Sequence, residues 1–438
     1  MADPTTRRDA IKSSVGTVAA TRRRQQAVAV SKERRESLVR AKRLCRVPVG
    51  GGDGQAHLDS DMIIDEEQSI LDSQTSLAVE KLKSAVAFQG KGAMQKRVCL
   101  SFGSSDEQLL EAAWCLTNIA AGIPEETKAL LPALPLLIAH LGEKSSSPVA
   151  EQCAWALGNV AGEGEELRNV LLAQGALLPL ARMMLPNKGS TVRTAAWALS
   201  NLIKGPEPKA ATELVRVDGV LDAIVRHLKK ADDELATEVA WVVVYLSALS
   251  NVAMSLLVKN DVLQLLVQRL ATSNSLQLLI PEAAWVLSNI AAGDIEHKRL
   301  IYSSEAVPLL LRLLSAAPFD IRKEVAYVLG NLCVAPTKGN EKPDLIVEHL
   351  ISLVGKGCLP GFIDLVRSAD IEAARLGLQF IELVLRGIPN GKGPKLVEEE
   401  DGIEAMERFQ FHENEELRTM ANTLVDKYFG EDYGLDDQ

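Results

Sequence analysis

The chain has 438 residues, of which 47% are apolar and 24% charged, and a formal net charge of −10. That composition excludes a disordered or collagen-like chain and leaves a globular one long enough for two or three ordinary domains. The six cysteines (Cys45, Cys99, Cys115, Cys153, Cys333, Cys358) show no Cys-x-x-Cys pairing, and no apolar signal segment stands at Met1. The expectation is therefore a reducing compartment, without zinc, structural disulfides or secretion.

The charge is divided along the chain. Residues 7–46 carry thirteen Lys and Arg against Asp9, Glu33 and Glu36, a local charge of +10, so the remainder sums to −20. Residues 1–46 are read as a basic arm in which like charges oppose compaction. Its segment "SKERRESLVRAKRL", with Ser31 as N-cap and no Pro, is expected to turn helical against an acidic surface. Residues 47–69, Gly-rich and then acidic, read as a flexible linker, residues 70–430 as the body, and 431–438 as an acidic tail.

Within the body a period appears. Trp114, Trp155, Trp197, Trp241 and Trp285 are 41, 42, 44 and 44 residues apart, and Tyr327 follows 42 later. Recurrence at this spacing marks a helical solenoid of the HEAT or armadillo kind. One period reads as a helix in "EELRNVLLAQ" stopped at Gly175, a second in "ALLPLARMML", a turn at 186–189, and a longer third helix from about Thr191 to Ile203. Three helices per unit favour armadillo. Breaks recur in phase at Gly219, Glu305–Ala306, Gly357 and Gly402, and the units at 340–387 and 395–430, which lack the Trp and Asn, read as caps. Residues 70–104 hold a shortened unit. Val239–Val258 carries no formal charge and has the length of a membrane span, but it is in step with the repeat and reads as a helix junction.

Four of the five Trp-bearing third helices pair the Trp with an Asn four residues on, and Trp241 is followed by Tyr245 in place of Asn. In "QCAWALGNVAGEGEE" Leu157 and Val160 make the core stripe, while Trp155 and Asn159 lie on the other side of the helix, since residues two apart differ by about 200°. A large aromatic repeated away from the core face points to a contact surface. An Asn amide offers a donor and an acceptor to a peptide backbone. Lined-up indoles offer slots for Lys and Arg stems and attract their charges.

The stretches "AAWCLTNIAAG", "CAWALGNVAG", "AAWALSNLIKG" and "AAWVLSNIAAG" resemble the armadillo repeats of the importin-alpha family, and the likeness extends to the arm and to "FHENEELRTMANTLVDKYFG" at the end. The resemblance implies an all-α, right-handed superhelical solenoid of armadillo repeats with a basic N-terminal arm. It implies a major site for nuclear localisation signals at Trp114, Asn118, Trp155, Asn159, Trp197 and Asn201, with Gly122, Thr127 and Glu163 as the pocket for a key lysine. A minor site falls on Trp241, Glu282, Trp285, Asn289, Glu324, Tyr327 and Asn331. The implied partners are basic cargo, importin-beta held by the arm through Arg22, Arg23, Arg24, Arg34, Arg35, Arg40, Lys42 and Arg43, and an export receptor at the C-terminal repeats. The implied localisation is cytoplasm and nucleus.

No nucleophile elbow, phosphate loop or His-Glu-x-x-His is present, so neither an enzyme, a cofactor nor a metal is expected. An acidic body repels phosphate, which argues against nucleic acid. An armadillo scaffold that assembles complexes without carrying cargo remains the rival reading.

Overall fold

The computed structural model describes residues 105–430 apart from 123, 143, 188, 206–207, 231, 273–279 and 336–342. The arm, the linker, the shortened unit at 70–104 and the acidic tail lie outside the described residues. Every regular element among the described residues is helical. The chain divides into two compact units at Ala210–Ala211, whose described parts are 105–210 and 211–430.

The first unit holds α1 (Asp106–Ala120), α2 (Pro124–Lys128), a 3-10 turn (Leu131–Ala133), α3 (Leu134–Ala139), α4 (Ser147–Glu163), α5 (Glu165–Ala173), α6 (Leu177–Met183) and α7 (Gly189–Ile203), while α8 (Lys209–Leu214) spans the division. The long helices α1, α4 and α7 pack side by side. Small residues with no exposure, Ala113, Ala154, Ala156 and Ala195, line these helices and admit close approach. Leu157 and Val160 are buried as expected, and full burial of such a side chain contributes about 1.5–3 kcal/mol. α1 begins in a capping box, Ser105 accepting from the Gln108 N–H and Gln108 from the Ser105 N–H. α5 stops where Gly175 takes a left-handed φ of +79°.

The second unit continues with α9 (Val220–Leu228), α10 (Asp233–Leu249), α11 (Asn251–Lys259), α12 (Val262–Thr272), α13 (Ile280–Ala291), α14 (Ile295–Tyr302), α15 (Ala306–Ala316), α16 (Phe319–Leu332), α17 (Pro343–Gly355), α18 (Leu359–Val366), α19 (Ile371–Gly387), α20 (Lys392–Glu399), α21 (Gly402–Glu407) and α22 (Glu415–Phe429). Here α10, α13, α16, α19 and α22 form the row of long helices. The uncharged run 239–258 breaks at Ser250, which caps α11 by accepting from the Ala253 N–H, and no single described helix is long and apolar enough to cross a membrane. The last break falls one residue earlier than expected, on Asp401 at φ +56°, with Gly402 inside α21. Phe362 and Phe380 stack in the core at 3.7 Å. Burial pushes the Cys153 and Cys333 thiols up to about 12, so both are inert fillers.

Candidate peptide-binding site

Four long helices, α1, α4, α7 and α13, carry a Trp/Asn pair, here called a rung; α10 has Trp241 with Tyr245 and α16 has Tyr327 with Asn331 at the same places. All five Trp are half-exposed, whereas the Asn are not: Asn159 is 1% exposed, Asn201 6%, Asn289 9% and Asn331 1%. Facing away from the leucine stripe does not mean facing solvent, because the preceding long helix engages the amide Nδ2. Asn159 Nδ2 donates to the Thr117 carbonyl (3.1 Å), Asn201 to Gly158 (3.2 Å), Asn289 to Val244 (3.3 Å) and Asn331 to Ser288 (3.1 Å). Each acceptor directly precedes the rung residue of the helix before. The Asn thus forms a ladder between repeats, a partner at every period that sequence periodicity could not reveal. Asn118, in the first described long helix, donates to Trp114 of its own turn instead (3.0 Å).

The Trp197 ring also rests on the preceding long helix. A Cβ added to Gly158 would lie 2.2 Å from Cζ3 of Trp197, so the Trp197 ring lies directly against this glycine. Gly158→Ala should therefore displace the indole and cost about 1–3 kcal/mol by overpacking, checked by denaturant melts and Trp fluorescence. Unchanged stability and emission would show that the ring has room elsewhere.

Gly122, Thr127 and Glu163, the residues expected to hold a lysine, differ in exposure and engagement. Gly122 is exposed, but Thr127 is 1% exposed and its hydroxyl donates to the Ala120 carbonyl (3.4 Å), capping α1. Arg168 and Lys298 occupy the same position of their repeats, seven residues after the carbonyls of Ala161 and Ala291 to which they donate. The carboxylate brought onto Gly122 is Glu126, whose Oε2 would stand 1.9 Å from a Cβ there. Glu163, half-exposed, ends α4. At the third rung Lys204, itself buried, donates to Asn201 Oδ1 (2.9 Å), an engagement of the ladder that no motif advertised.

In the second unit Trp241 and Trp285 meet edge to face with centroids 5.4 Å apart. Glu282 is 8% exposed and Glu324 half-buried. Tyr245, in the Asn place, is buried. Tyr327 is 1% exposed, and its hydroxyl donates to Glu372 Oε1 of α19 (2.7 Å). Lys323, one turn earlier, reaches Asp370 (2.9 Å) and the same Glu372 (3.6 Å). Burial, the largest influence, opposes both charged forms. The Ala373 N–H and Lys323 nevertheless hold the Asp370 carboxyl below its ordinary value, and Asp370 and Glu372 hold Lys323 above its own. A lowered carboxyl stabilises the fold above its ordinary 3.8 and loses this as pH falls through the folded value. A raised lysine stabilises it below 10.5 and loses this as pH rises through its folded value. Across neutral pH the contact is therefore fully present.

A row of long helices stacked at a period of 41–44 residues, with half-exposed indoles and Asn amides that bond the helix before, defines an armadillo-repeat protein. Residues 294–334 match the armadillo/beta-catenin-like repeat family and 395–438 the atypical Arm repeat family. An engineered protein shares the fold (TM-score 0.65, 24% identity, 78% of this chain and 82% of the other). So do computationally designed armadillo repeat proteins for modular peptide recognition (TM-score 0.50, 26% identity, 54% of this chain and 98% of the other).

Among natural proteins the chain is 65% identical to importin subunit alpha-9 of Arabidopsis thaliana, covering 98% of each, and 58% identical to importin subunit alpha-2 of Oryza sativa subsp. japonica, covering 98% and 96%. The chain belongs to the importin-alpha family. The first alignment runs over 510 positions against the 438 residues here, so at least 72 positions of that relative have no counterpart in this chain.

Proposed function

We propose that this protein is a nuclear import adaptor that binds Lys/Arg-rich localisation signals along the long helices of its first unit and joins them to importin-beta through residues 1–46. The observation that carries the reading is the repeated half-exposed Trp beside a ladder Asn, in a chain of this family. In the proposed site Trp114, Trp155 and Trp197 take the alkyl stems of the cargo's basic residues, and Asn118, Asn159 and Asn201 hold its backbone. Gly122, Glu126 and Glu163 supply carbonyl and carboxylate oxygens for a lysine. Thr127 supports them by fixing the end of α1. An export receptor would engage the C-terminal repeats, and the protein would shuttle between cytoplasm and nucleus.

Two tests separate the parts. Deleting residues 1–46 should abolish importin-beta capture and leave signal-peptide binding intact or tighter, since the +10 of residues 7–46 competes for an acidic body. A truncated chain that still captures importin-beta would remove the arm from the scheme. Glu163→Lys places like charges together and should weaken a lysine-rich peptide at ordinary ionic strength. Retained affinity would move the lysine pocket elsewhere.

A further inference from the structure

We propose that Lys323 is a resident ligand of the Tyr327 rung, so that the second unit holds its own cation where a cargo cation would go and the chain reads signals with one basic cluster. This rests on the adaptor reading above. A slot for a cargo lysine needs an exposed ring face, an unengaged carboxylate and room for an alkyl stem. At Tyr327 the ring is 1% exposed and its hydroxyl is held by Glu372. The carboxylates beside it, Asp370 and Glu372, both receive the Lys323 ammonium, at 2.9 and 3.6 Å. That ammonium comes from the same helix as the tyrosine, one turn before it, so its local concentration exceeds what a free peptide in solution can match.

The neighbouring rungs agree. A stem lying between two rings needs about 7–8 Å between them, two contacts of 3.5–4.0 Å, whereas Trp241 and Trp285 stand 5.4 Å apart in direct contact. On α19, "EAARLGLQ" sets Arg375 and Gln379 in register with Trp285 and Asn289 of "EAAWVLSN". Arg375 reaches Glu416 of the next long helix at 2.6 Å. From Trp241 onward, therefore, ring contacts and the chain's own cations take the places that basic cargo side chains would use. At the corresponding position one turn before the aromatic, Leu110, Glu151, Thr237 and Pro281 carry no positive charge; Arg193 does, but its ring, Trp197, is half-exposed where Tyr327 is buried.

The test uses the full chain, isothermal calorimetry, and two synthetic peptides, one with a single five-lysine cluster and one with two such clusters joined by Gly/Ser linkers of graded length. The expected result is one single-cluster peptide bound per chain, with the two-cluster peptides within about threefold of it at every linker length. Two engaged sites would instead tighten binding by roughly 10²–10⁴ at the matching length. Lys323→Ala should add a second, weaker binding event, and Lys323→Arg should not. Two single-cluster peptides per wild-type chain, or an avidity gain with linker length, would overturn the inference while leaving the adaptor reading in place. A Lys323→Ala chain that still binds one peptide would overturn the role of Lys323. A chain that binds neither peptide would overturn both readings.

Discussion

Replacing Asn159 and Asn201 by alanine together should weaken a basic signal peptide by about 5- to 150-fold and lower the melting temperature of the first unit. The binding loss is the one expected of the proposed site, in which each amide holds the cargo backbone by a hydrogen bond of about 0.5–1.5 kcal/mol. The stability loss has a different origin. Asn159 joins α4 to α1 through Thr117, and Asn201 joins α7 to α4 through Gly158. Thr117 O also accepts from the Ala121 N–H (3.1 Å), so it is not stranded and the penalty stays at the level of one ordinary hydrogen bond, about 1 kcal/mol per site. Asn201→Ala also removes one acceptor from Lys204. Calorimetry at a temperature well below the transition separates the two effects. Affinity unchanged in a folded double variant would refute the groove assignment, and an unchanged melting temperature would refute the ladder.

The second large effect is expected at Lys298. This side chain is 1% exposed, and its ammonium donates to the Ala291 and Asn331 carbonyls at the C-terminal ends of α13 and α16. A positive charge there meets the negative ends of two helix dipoles. Lys298→Ala should destabilise the second unit by about 3 kcal/mol through lost stem packing and lost charge-assisted hydrogen bonds. Lys298→Met, which keeps the stem and sheds the buried charge, should cost much less. His349, stacked on Tyr302 at 3.9 Å, shares this neighbourhood. Burial holds its imidazole below the ordinary 6.5, against the Leu332 carbonyl and with Lys298 acting in the same direction as burial. The unfolded chain takes up this proton more readily, so stability should decline as pH falls below about 6.5 and stop declining below the folded value. Urea melts of both variants across that range check both statements, and a cost under about 0.5 kcal/mol for Lys298→Ala would refute the bridging role.

The helices themselves were readable because their punctuation is local. Gly175, Gly219 and Gly357 stop segments where φ must be positive, and Ser250 separates α10 from α11 within one uncharged run. Spacing alone likewise puts Trp155 and Asn159 on one side of α4. Their surroundings were not legible, because these depend on helices a full period away. Asn159 is covered by α1, 42 residues back, and Tyr327 is held by Glu372, 45 residues ahead. Thr127 illustrates the same limit: its residue type fits a ligand pocket, yet its hydroxyl closes a helix end. Periodicity reports which face a residue occupies, and only packing reports what lies against that face.

The Asn ladder also acts as a ruler. Its donors and acceptors are separated by 42, 43, 45 and 43 residues, and each contact refers only to the helix one period earlier. An insertion or excision of whole periods re-forms the same contact at the new junction, while a fractional change sets an Asn against the wrong carbonyl. Whole periods are therefore the changes in length that the ladder tolerates, and the at least 72 positions of one relative that have no counterpart here exceed a single period. A change in such steps leaves every remaining interface as it was, so the number of rungs can vary while their chemistry stays the same.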